Sequence, residues 1–286
     1  MKVIHSPRAM QEEAERLRIA GTRIAVVPTM GALHAGHAGL IARARELAEC
    51  VVTTIFVNPT QFGPHEDFER YPRDFERDRT IARDAGASLI FSPETKNMYP
   101  EGFATFVGTE GVSTVLEGAV RPAHFRGVTT VVAKLLHLTK PHVAVFGQKD
   151  AQQAFIIRKM VRELNMDVEI EVVPTVREPD GLAVSSRNAY LSPDERTRAV
   201  ILFQALHHAG RRIGEGERSV PTLRKEMEHL INGARPSGID YIAFLRPSDF
   251  SEIQRIEPPE VLIALAVRFG TTRLIDNLLV EVPLPS

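Results

Sequence analysis

The chain has 286 residues, a formal net charge of −1 and a single cysteine, Cys50. Its hydrophobic fraction of 43% and charged fraction of 25% are typical of a globular protein with one large or two modest domains. A near-neutral chain lacks the positive field that collects nucleic acid, so we expect a small-molecule partner. One cysteine excludes an intrachain disulfide, and we expect neither a leader peptide nor a membrane span. A cytoplasmic protein is the resulting prediction.

Short apolar runs alternate with helical patterns through the first two thirds of the chain. The runs lack polar alternation, which is typical of parallel strands covered by helices on both faces. They predict strands at 24–27, 51–57, 89–91, 142–146 and 168–173. Helices are predicted between them at 36–49, 72–85 (with Pro72 in its first turn), 125–138 and 151–164. This order indicates a doubly wound, Rossmann-like α/β sheet over residues 1–174.

Two parts of the chain depart from this alternation. Residues 94–118 have no clear period, and we expect an excursion from the sheet there, such as a hairpin. From residue 175 onward, helices precede strands. A capping box from Ser192 to Glu195 opens a long helix that ends at 214–217. A second helix is predicted at 222–231, and three short strands follow at 241–245, 261–267 and 273–275. This second order predicts a smaller α+β domain, of the lid type, over residues 175–286.

The most informative stretch, PTMGALHAGH, occupies residues 28–37. It follows an apolar run, contains Gly31 in a turn, and opens an amphipathic helix with His34 and His37. Unpaired N–H groups and the positive end of the helix dipole favour an anion at such a helix start, and phosphate is the typical ligand. Two imidazoles three residues apart face one side of the first turn, where both can donate to one phosphate chain.

Other interpretations of the two histidines stay open at this point. A histidine pair at a helix start is often a solvated or capping pair. The pair could also share a zinc ion, although the nearby sequence supplies no cysteine or acidic third ligand. The order of strand, glycine turn, histidines and helix favours the phosphate site over both.

Polar residues also follow two other predicted strands. Asn58 and Gln61 can hydrogen-bond hydroxyls or a carboxylate without adding charge, although Asn-Pro followed by glycine is also a turn signature. Residues 147–150, GQKD, combine a glycine for close backbone approach, a lysine for phosphate and an aspartate for ribose hydroxyls. Such a turn is more often a solvated loop, so the second signal is weak by itself.

The segment 180–188, DGLAVSSRN, is the strongest partner of the histidines. Its two serines and Arg187 lie beside the predicted domain boundary, where a loop can close over a nucleotide. We expect this loop and the histidine-bearing helix start to grip a triphosphate from two sides while charge builds on departing pyrophosphate. A serine-rich loop that only leads into the next helix is the alternative.

With these motifs the sequence resembles the pantothenate synthetase (pantoate–β-alanine ligase) family of the nucleotidyltransferase superfamily, which is related to class I aminoacyl-tRNA synthetases. The resemblance covers nearly the whole chain. It rests on PTMGALHxGH at 28–37, FVNPxQF at 56–62, RPxHFRGV at 121–128, FGQKDxQQ at 146–153 and DGLAxSSRN at 180–188.

The family's reaction has two halves, and the resemblance implies both for this chain. ATP and pantoate give pantoyl adenylate and pyrophosphate, and β-alanine then attacks the adenylate to give pantothenate and AMP. Mg²⁺ on the ATP phosphates is implied, and it needs few protein carboxylates. A homodimer is implied by the family alone, since no residue pattern indicates it.

Carried over by position, the resemblance implies catalytic roles for His37 as proton donor and for His34, Lys149 and Arg187. The implied ATP-binding set is Met30, Gly31, Ala32, Leu33, His34, Ala35, Gly36, His37, Gly147, Gln148, Lys149, Asp150, Val176, Val184, Ser185, Ser186 and Arg187. The implied binding residues for pantoate or β-alanine are Gln61, Gln153 and Asn58. Val184 stands where methionine is expected in many members, and this difference removes no polar group.

Two rival functions share parts of this pattern. A nucleotidyltransferase that moves AMP onto a phosphate acceptor has the same histidine motif, but it would need a cationic acceptor site in place of neutral Gln61 and Gln153. A nucleotide-binding sensor without catalytic activity would use the same fold for regulation. We therefore expect an AMP-forming amide ligase, to be distinguished from both by its products.

Overall fold

The computed structural model describes residues 1–64, 66 and 68–284. These residues form nine strands and ten α-helices. They group into two compact units, of which the first is Met1–Gln148 with Gln152–Pro174 and the second is Lys149–Ala151 with Thr175–Ser286. No helix in the described ranges is long and apolar enough to cross a membrane.

The first unit contains a six-stranded parallel sheet in the order β1-β4-β3-β2-β5-β6. Its strands are β1 (Lys2–Ile4), β2 (Ile24–Val27), β3 (Cys50–Thr54), β4 (Leu89–Phe91), β5 (Val143–Gly147) and β6 (Glu169–Val173). From β2 the chain builds outward through β3 and β4, and it then returns to the other side of β2 as β5. The switch point therefore lies between β2 and β5, where sheets of this kind bind ligands. The predicted Rossmann-like fold is confirmed.

Alternate residues of β2 enter different hydrophobic clusters, which explains why the strand is apolar throughout. Ile24 and Val26 pack into one cluster, while Ala25 and Val27 pack into another. Because side chains alternate across a strand, a sheet covered on both faces needs apolar residues at every position. The helices along this part of the chain are α1 (Pro7–Ile19), α2 (Ala35–Leu47), α3 (Phe75–Asp84), α4 (Thr95–Met98), α5 (Glu117–Val120), α6 (His124–Thr139) and α7 (Ala151–Glu163).

The second unit packs helices against a three-stranded antiparallel sheet in the order β7-β8-β9. Its elements are α8 (Pro193–Ala199), α9 (Ile201–Gly214), α10 (Val220–Gly233), β7 (Gly238–Leu245), β8 (Glu260–Phe269) and β9 (Thr272–Glu281). The predicted capping box is present, since Ser192 N donates to Glu195 Oε2 at 2.8 Å and Glu195 N donates to Ser192 Oγ at 3.3 Å. The smaller α+β part of the fold is confirmed, whereas its predicted lid role stays a prediction.

Several predicted element boundaries are wrong, each for a local reason. The third helix begins after Asp74, whose side chain accepts from Arg77 N, so Pro72 lies outside it. The long helix after Ser192 is divided at Val200 into α8 and α9. The strand that was predicted to reach residue 57 ends at Thr54, and β9 continues well beyond the predicted three residues.

Two elements near the amino end, β1 and α1, were not predicted from the sequence. Ser6 and Pro7 nevertheless supply the cap and the first-turn proline of α1. The signal for this helix start was therefore present in the sequence.

The expected hairpin in residues 94–118 is also wrong. The segment is fully described and contains α4, a 3-10 turn at Val112–Thr114 and the start of α5, with no strand. Buried Gln152 holds it in place: its Nε2 donates to Val112 O and Val115 O, both at 2.8 Å, and its Oε1 accepts from Glu117 N at 3.1 Å. One side-chain amide thus satisfies three backbone groups of this segment.

Candidate functional site

The loop after β2 is fixed to the end of β3 by Thr29. Its Oγ1 donates to Thr54 O at 2.5 Å, and its N–H donates to Thr54 Oγ1 at 3.2 Å. The loop then turns through Gly31 and Ala32, whose φ angles are 86° and 51°. A left-handed conformation costs a non-glycine residue about 1–2 kcal/mol, so the Ala32 backbone must be held by its surroundings.

The holding group is the carboxylate of Asp78, which reaches the turn from α3. Asp78 Oδ2 accepts from Ala32 N at 2.9 Å, and Oδ1 accepts from Leu33 N at 2.7 Å. Burial raises the pKa of this carboxyl above its ordinary value, while the two N–H donors act in the opposite direction. Asp78 was not predicted from the sequence, because it lies 45 residues beyond Leu33 and no local pattern connects them.

The two histidines lie together at the start of α2. His34 is the N-cap residue, and its Nδ1 accepts from Gly36 N at 3.1 Å. The ring centroids of His34 and His37 are 4.1 Å apart, at an interplanar angle of 36°. The capping interpretation is thus correct for His34, and the prediction of unpaired N–H groups is wrong for Gly36. Since Nδ1 is an acceptor, we assign the proton of neutral His34 to Nε2, which makes Nε2 the donor nitrogen of the ring.

Gln61 is presented by a 3-10 turn that Asn58 organises. Asn58 Nδ2 donates to Gln61 Oε1 at 3.0 Å and to Gly127 O at 3.2 Å. Its Oδ1 accepts from Thr60 Oγ1 at 2.9 Å and from Tyr99 OH at 2.7 Å. The side chain of Asn58 is therefore engaged by protein atoms and only 1% of the residue is exposed. We interpret Asn58 as a residue that positions Gln61.

Gln61 connects the motif 28–37 with the motif 56–62. Its Nε2 donates toward Met30 Sδ at 3.1 Å, a weak acceptor. Since β2 and β3 are neighbours in the sheet, their carboxyl ends bring these two motifs together, as the fold predicts. A neutral amide thus lies beside the loop that leads to the histidines.

The motif 121–128, quoted above without a role, forms the support beneath Gln61. A Cβ atom at Gly127 would lie 2.3 Å from Thr60 O, so only glycine lets α6 approach the turn this closely. His124 Nδ1 lies 2.8 Å from Gln61 O and donates to it, while His124 Nε2 accepts from Arg121 Nη1 at 3.1 Å. Burial and the neighbouring Arg121 lower the pKa of His124 to about 4, which keeps the ring neutral.

The polar residues that follow β5, among them Lys149, Gln152 and Gln153, have different surroundings. Lys149 O accepts from Asn277 Nδ2 of β9 at 2.9 Å, and Lys149 Nζ lies 3.7 Å from Asp150 Oδ1. Asn277 is a second residue that was not predicted, because it follows Lys149 by 128 residues. Gln152 has the structural role described above, whereas Gln153 is half-buried and its predicted binding role stays a prediction.

In the second unit, Val176 and Val184 of the predicted ATP set are paired, since Val184 N donates to Val176 O at 3.0 Å. Ser185 caps the next 3-10 turn, with its Oγ accepting from Arg187 N at 3.3 Å. Asp276, 3% exposed, stabilises this region by binding Arg177 through both carboxylate oxygens at 2.7 and 3.0 Å. The predicted grip on a triphosphate involves residues of both units and stays a prediction.

A metal ion shared by His34 and His37 would need further protein ligands. The described ranges contain no group of three or more His, Cys, Asp or Glu side chains that could hold a metal. Asp78, the carboxylate that reaches the turn before the histidines, already accepts two backbone hydrogen bonds.

Comparisons with known proteins agree over nearly the whole chain. The sequence profile of the family described as Pantoate-beta-alanine ligase matches residues 2–279. Pantothenate synthetase from Chloroherpeton thalassium is 52% identical over 283 residues, which are 98% of this chain and 100% of the relative. A profile match and a relative of this extent establish family membership.

Solved structures give the same result. The crystal structure of pantothenate synthetase from Thermus thermophilus superposes with a TM-score of 0.92 at 44% identity, covering 97% of this chain and 99% of that one. Pantoate-beta-alanine ligase from Francisella tularensis, crystallised in complex with β-γ ATP and β-alanine, has a TM-score of 0.79 at 32% identity. That match covers 98% of this chain and 97% of the other.

The buried ring of His124 predicts an acid-sensitive stability. Its pKa is about 4 in the folded chain and 6.5 ordinarily, so the unfolded state binds the proton first as pH falls. The contribution of the neutral ring to the free energy of unfolding is fully present above about pH 6.5. It is lost progressively toward about pH 4, by up to about 3 kcal/mol. Urea unfolding across this pH range measures how steeply the free energy of unfolding falls with falling pH.

His124→Asn keeps a donor near the Nδ1 position and removes the titration, so its stability is expected to fall less steeply with acid. His137→Asn is the matched control, since His137 is exposed on the same helix. An unchanged slope in His124→Asn would contradict the assignment.

Proposed function

Because the chain belongs to the pantoate–β-alanine ligase family, we propose that it condenses pantoate with β-alanine, consuming ATP and releasing AMP and pyrophosphate. The intermediate is pantoyl adenylate. The observation that carries the proposal is the 3.1 Å approach of Gln61 Nε2 to Met30 Sδ. It places a neutral amide, suited to a substrate carboxylate or hydroxyl, beside the loop that leads to two adjacent imidazoles.

In the first half-reaction, a pantoate carboxylate oxygen attacks the α-phosphorus of ATP, and the bond to pyrophosphate breaks. Negative charge then grows on the departing phosphates. The Nε2–H group of His34, the imidazole of His37 and the ammonium of Lys149 are the proposed donors to this charge. We propose His37 as the proton donor, in keeping with its place in the family motif.

Gln61 and Gln153 are the proposed pantoate residues, and their neutrality suits a nucleophile. An ion pair with lysine or arginine would stabilise the attacking carboxylate in the ground state, whereas an amide orients it with less cost to its reactivity. Asn58 donates to Gln61 Oε1, so the NH₂ group of Gln61, which already approaches Met30 Sδ, is the part of the amide proposed to donate to pantoate. In this proposal Asn58 acts on the substrate through Gln61.

In the second half-reaction, the amine of β-alanine attacks the acyl carbon, and the bond to AMP breaks. The amine loses a proton and the amide of pantothenate remains. AMP is a sufficient leaving group, so no covalent enzyme nucleophile is required. This agrees with the position of Cys50, which is buried at the start of β3.

The remaining proposed ATP contacts are residues 30–37 and 147–150 together with Val176, Val184, Ser185, Ser186 and Arg187. For Ala32 and Leu33 these contacts must use atoms other than N–H, because Asp78 accepts both N–H groups. The pairing of Val176 with Val184 and the capping of Arg187 N by Ser185 support their assignment as one local unit.

We further propose that Mg²⁺ enters with ATP, as part of the substrate. The described residues offer no cluster that would hold it by protein ligands alone, and Mg²⁺ is commonly bound through substrate phosphates. No residue and no step is therefore assigned to it. A homodimer is proposed from the family resemblance alone, and a cytoplasmic location from the single cysteine.

One assay separates the ligase from its rivals. Purified protein is supplied with ATP, Mg²⁺, pantoate and β-alanine, and AMP, ADP, pyrophosphate and pantothenate are measured. We expect AMP and pyrophosphate in equal amounts, both strictly dependent on pantoate. A dinucleotide product would indicate transfer to a phosphate acceptor, and ATP binding without turnover would indicate a sensor.

His37→Ala is expected to slow adenylate formation by about a hundredfold or more, because one donor to the growing phosphate charge is lost. Single-turnover release of pyrophosphate in the absence of β-alanine measures this step directly. His137→Ala, on the exposed side of α6, is the control and should retain the wild-type rate. A loss below about threefold would remove His37 from the mechanism.

Gln61→Ala is expected to raise the KM for pantoate by about tenfold or more while the Kd for ATP stays near wild type, because polar groups of the acid lose their partner. Gln61→Glu should be worse than alanine, since a second carboxylate repels the first. Gln204→Ala, exposed on α9, is the control. Equal losses for ATP and pantoate would contradict the assignment of Gln61.

A further inference from the structure

The proposed reaction does not by itself account for the buried carboxylate of Asp78. Only 2% of this residue is exposed, and its two oxygens are 2.9 and 2.7 Å from the Ala32 and Leu33 nitrogens. Among the neighbouring charges, that of Asp74 is unfavourable and that of Arg77 is favourable. Burying a carboxylate is costly unless its hydrogen bonds are good. Such a buried carboxylate indicates that the conformation or the charge of the turn it binds must be controlled.

The first demand is conformational. Gly31 and Ala32 are both left-handed, and a Cβ atom at Gly31 would lie 2.8 Å from Asp78 Oδ2. The carboxylate therefore fits closely against a backbone that alanine adopts reluctantly. His34 follows Leu33 directly, so the hydrogen bond to Leu33 N sets where the capping imidazole begins.

The second demand is electrostatic. Successive N–H groups in a glycine turn before a helix normally form an anion-binding concavity, as in phosphate-binding loops. Here two of these N–H groups are donated to a carboxylate, which also repels an anion placed beside it. The turn is thereby closed to phosphate, while the imidazoles of His34 and His37 remain at the helix start.

We propose that Asp78 is a positioning residue for the ATP reaction. It fixes His34 through the 31–33 turn, and it keeps the triphosphate out of that turn and at the two histidines. This inference rests on the proposed function, because it assumes that ATP reacts at the helix start of α2.

Asp78→Asn tests the proposal with little change of shape. The amide oxygen can accept one N–H, but the NH₂ group then faces the other N–H, so the turn loosens and its negative charge is gone. We expect the single-turnover rate of pyrophosphate release to fall by about thirtyfold to a hundredfold, since small displacements of catalytic groups have effects of this size. The Kd for ATP, measured by calorimetry without pantoate, should stay within about threefold of wild type or tighten.

Asp84→Asn is the matched control, because it removes an exposed carboxylate from the same helix and should change neither quantity. Hydrogen exchange reports on the turn without reference to activity. The peptide that contains Ala32 and Leu33 should exchange faster in Asp78→Asn than in wild type or Asp84→Asn.

A wild-type rate in folded Asp78→Asn would overturn the proposal. So would a loss of rate explained wholly by a smaller folded fraction or by weaker ATP binding. If Asp78→Asn does not fold, Asp78→Glu keeps the charge but shifts both carboxylate oxygens away from the Ala32 and Leu33 nitrogens, and the same separation of rate from ATP affinity is expected. Wild-type protein that releases no pyrophosphate with pantoate would instead refute the proposed function, while the exchange result would still decide whether Asp78 holds the turn.

Discussion

The carboxyl end of β2 is the point on which the candidate site depends. This strand lies between β3 and β5 in the sheet, so the loops that follow these strands must leave it at the same edge. The hydrogen bonds of Thr29 to Thr54 and of Gln61 to Met30 are direct results of that adjacency. A parallel sheet with its switch point beside β2 thus gathers residues from distant parts of the sequence.

Much of the fold, and the motifs of the candidate site, could be predicted from the sequence because they depend on local patterns. Apolar runs identify strands that are covered on both faces. The capping box formed by Ser192 and Glu195 identifies the start of a helix from four consecutive residues. The residues that could not be predicted act over long separations. Asp78, His124 and Asn277 each bind the backbone of a predicted site residue or its neighbour, and no spacing rule relates them to their partners. Local sequence patterns therefore indicate the chemistry but not the residues that support it.

These supporting residues share one physical character. Each is a buried side chain with at least one hydrogen bond to a main-chain group: Asp78 to N–H groups, His124 to Gln61 O and Asn277 to Lys149 O. Main-chain atoms of a loop have no packing of their own to fix them, so a satisfied polar partner is the most effective restraint. The side chains carried by those loops are then oriented with little further loss of entropy.

The grouping of Lys149–Ala151 with the second unit limits how the molecule can be cut. The flanking Gln148 and Gln152 belong to the first unit, so the polypeptide changes unit on either side of a three-residue insert. Severing the chain after Pro174 would leave the lysine in the amino-terminal fragment and its amide anchor, Asn277, in the other. The two halves are therefore poor candidates for separate expression, because separating them breaks this hydrogen bond.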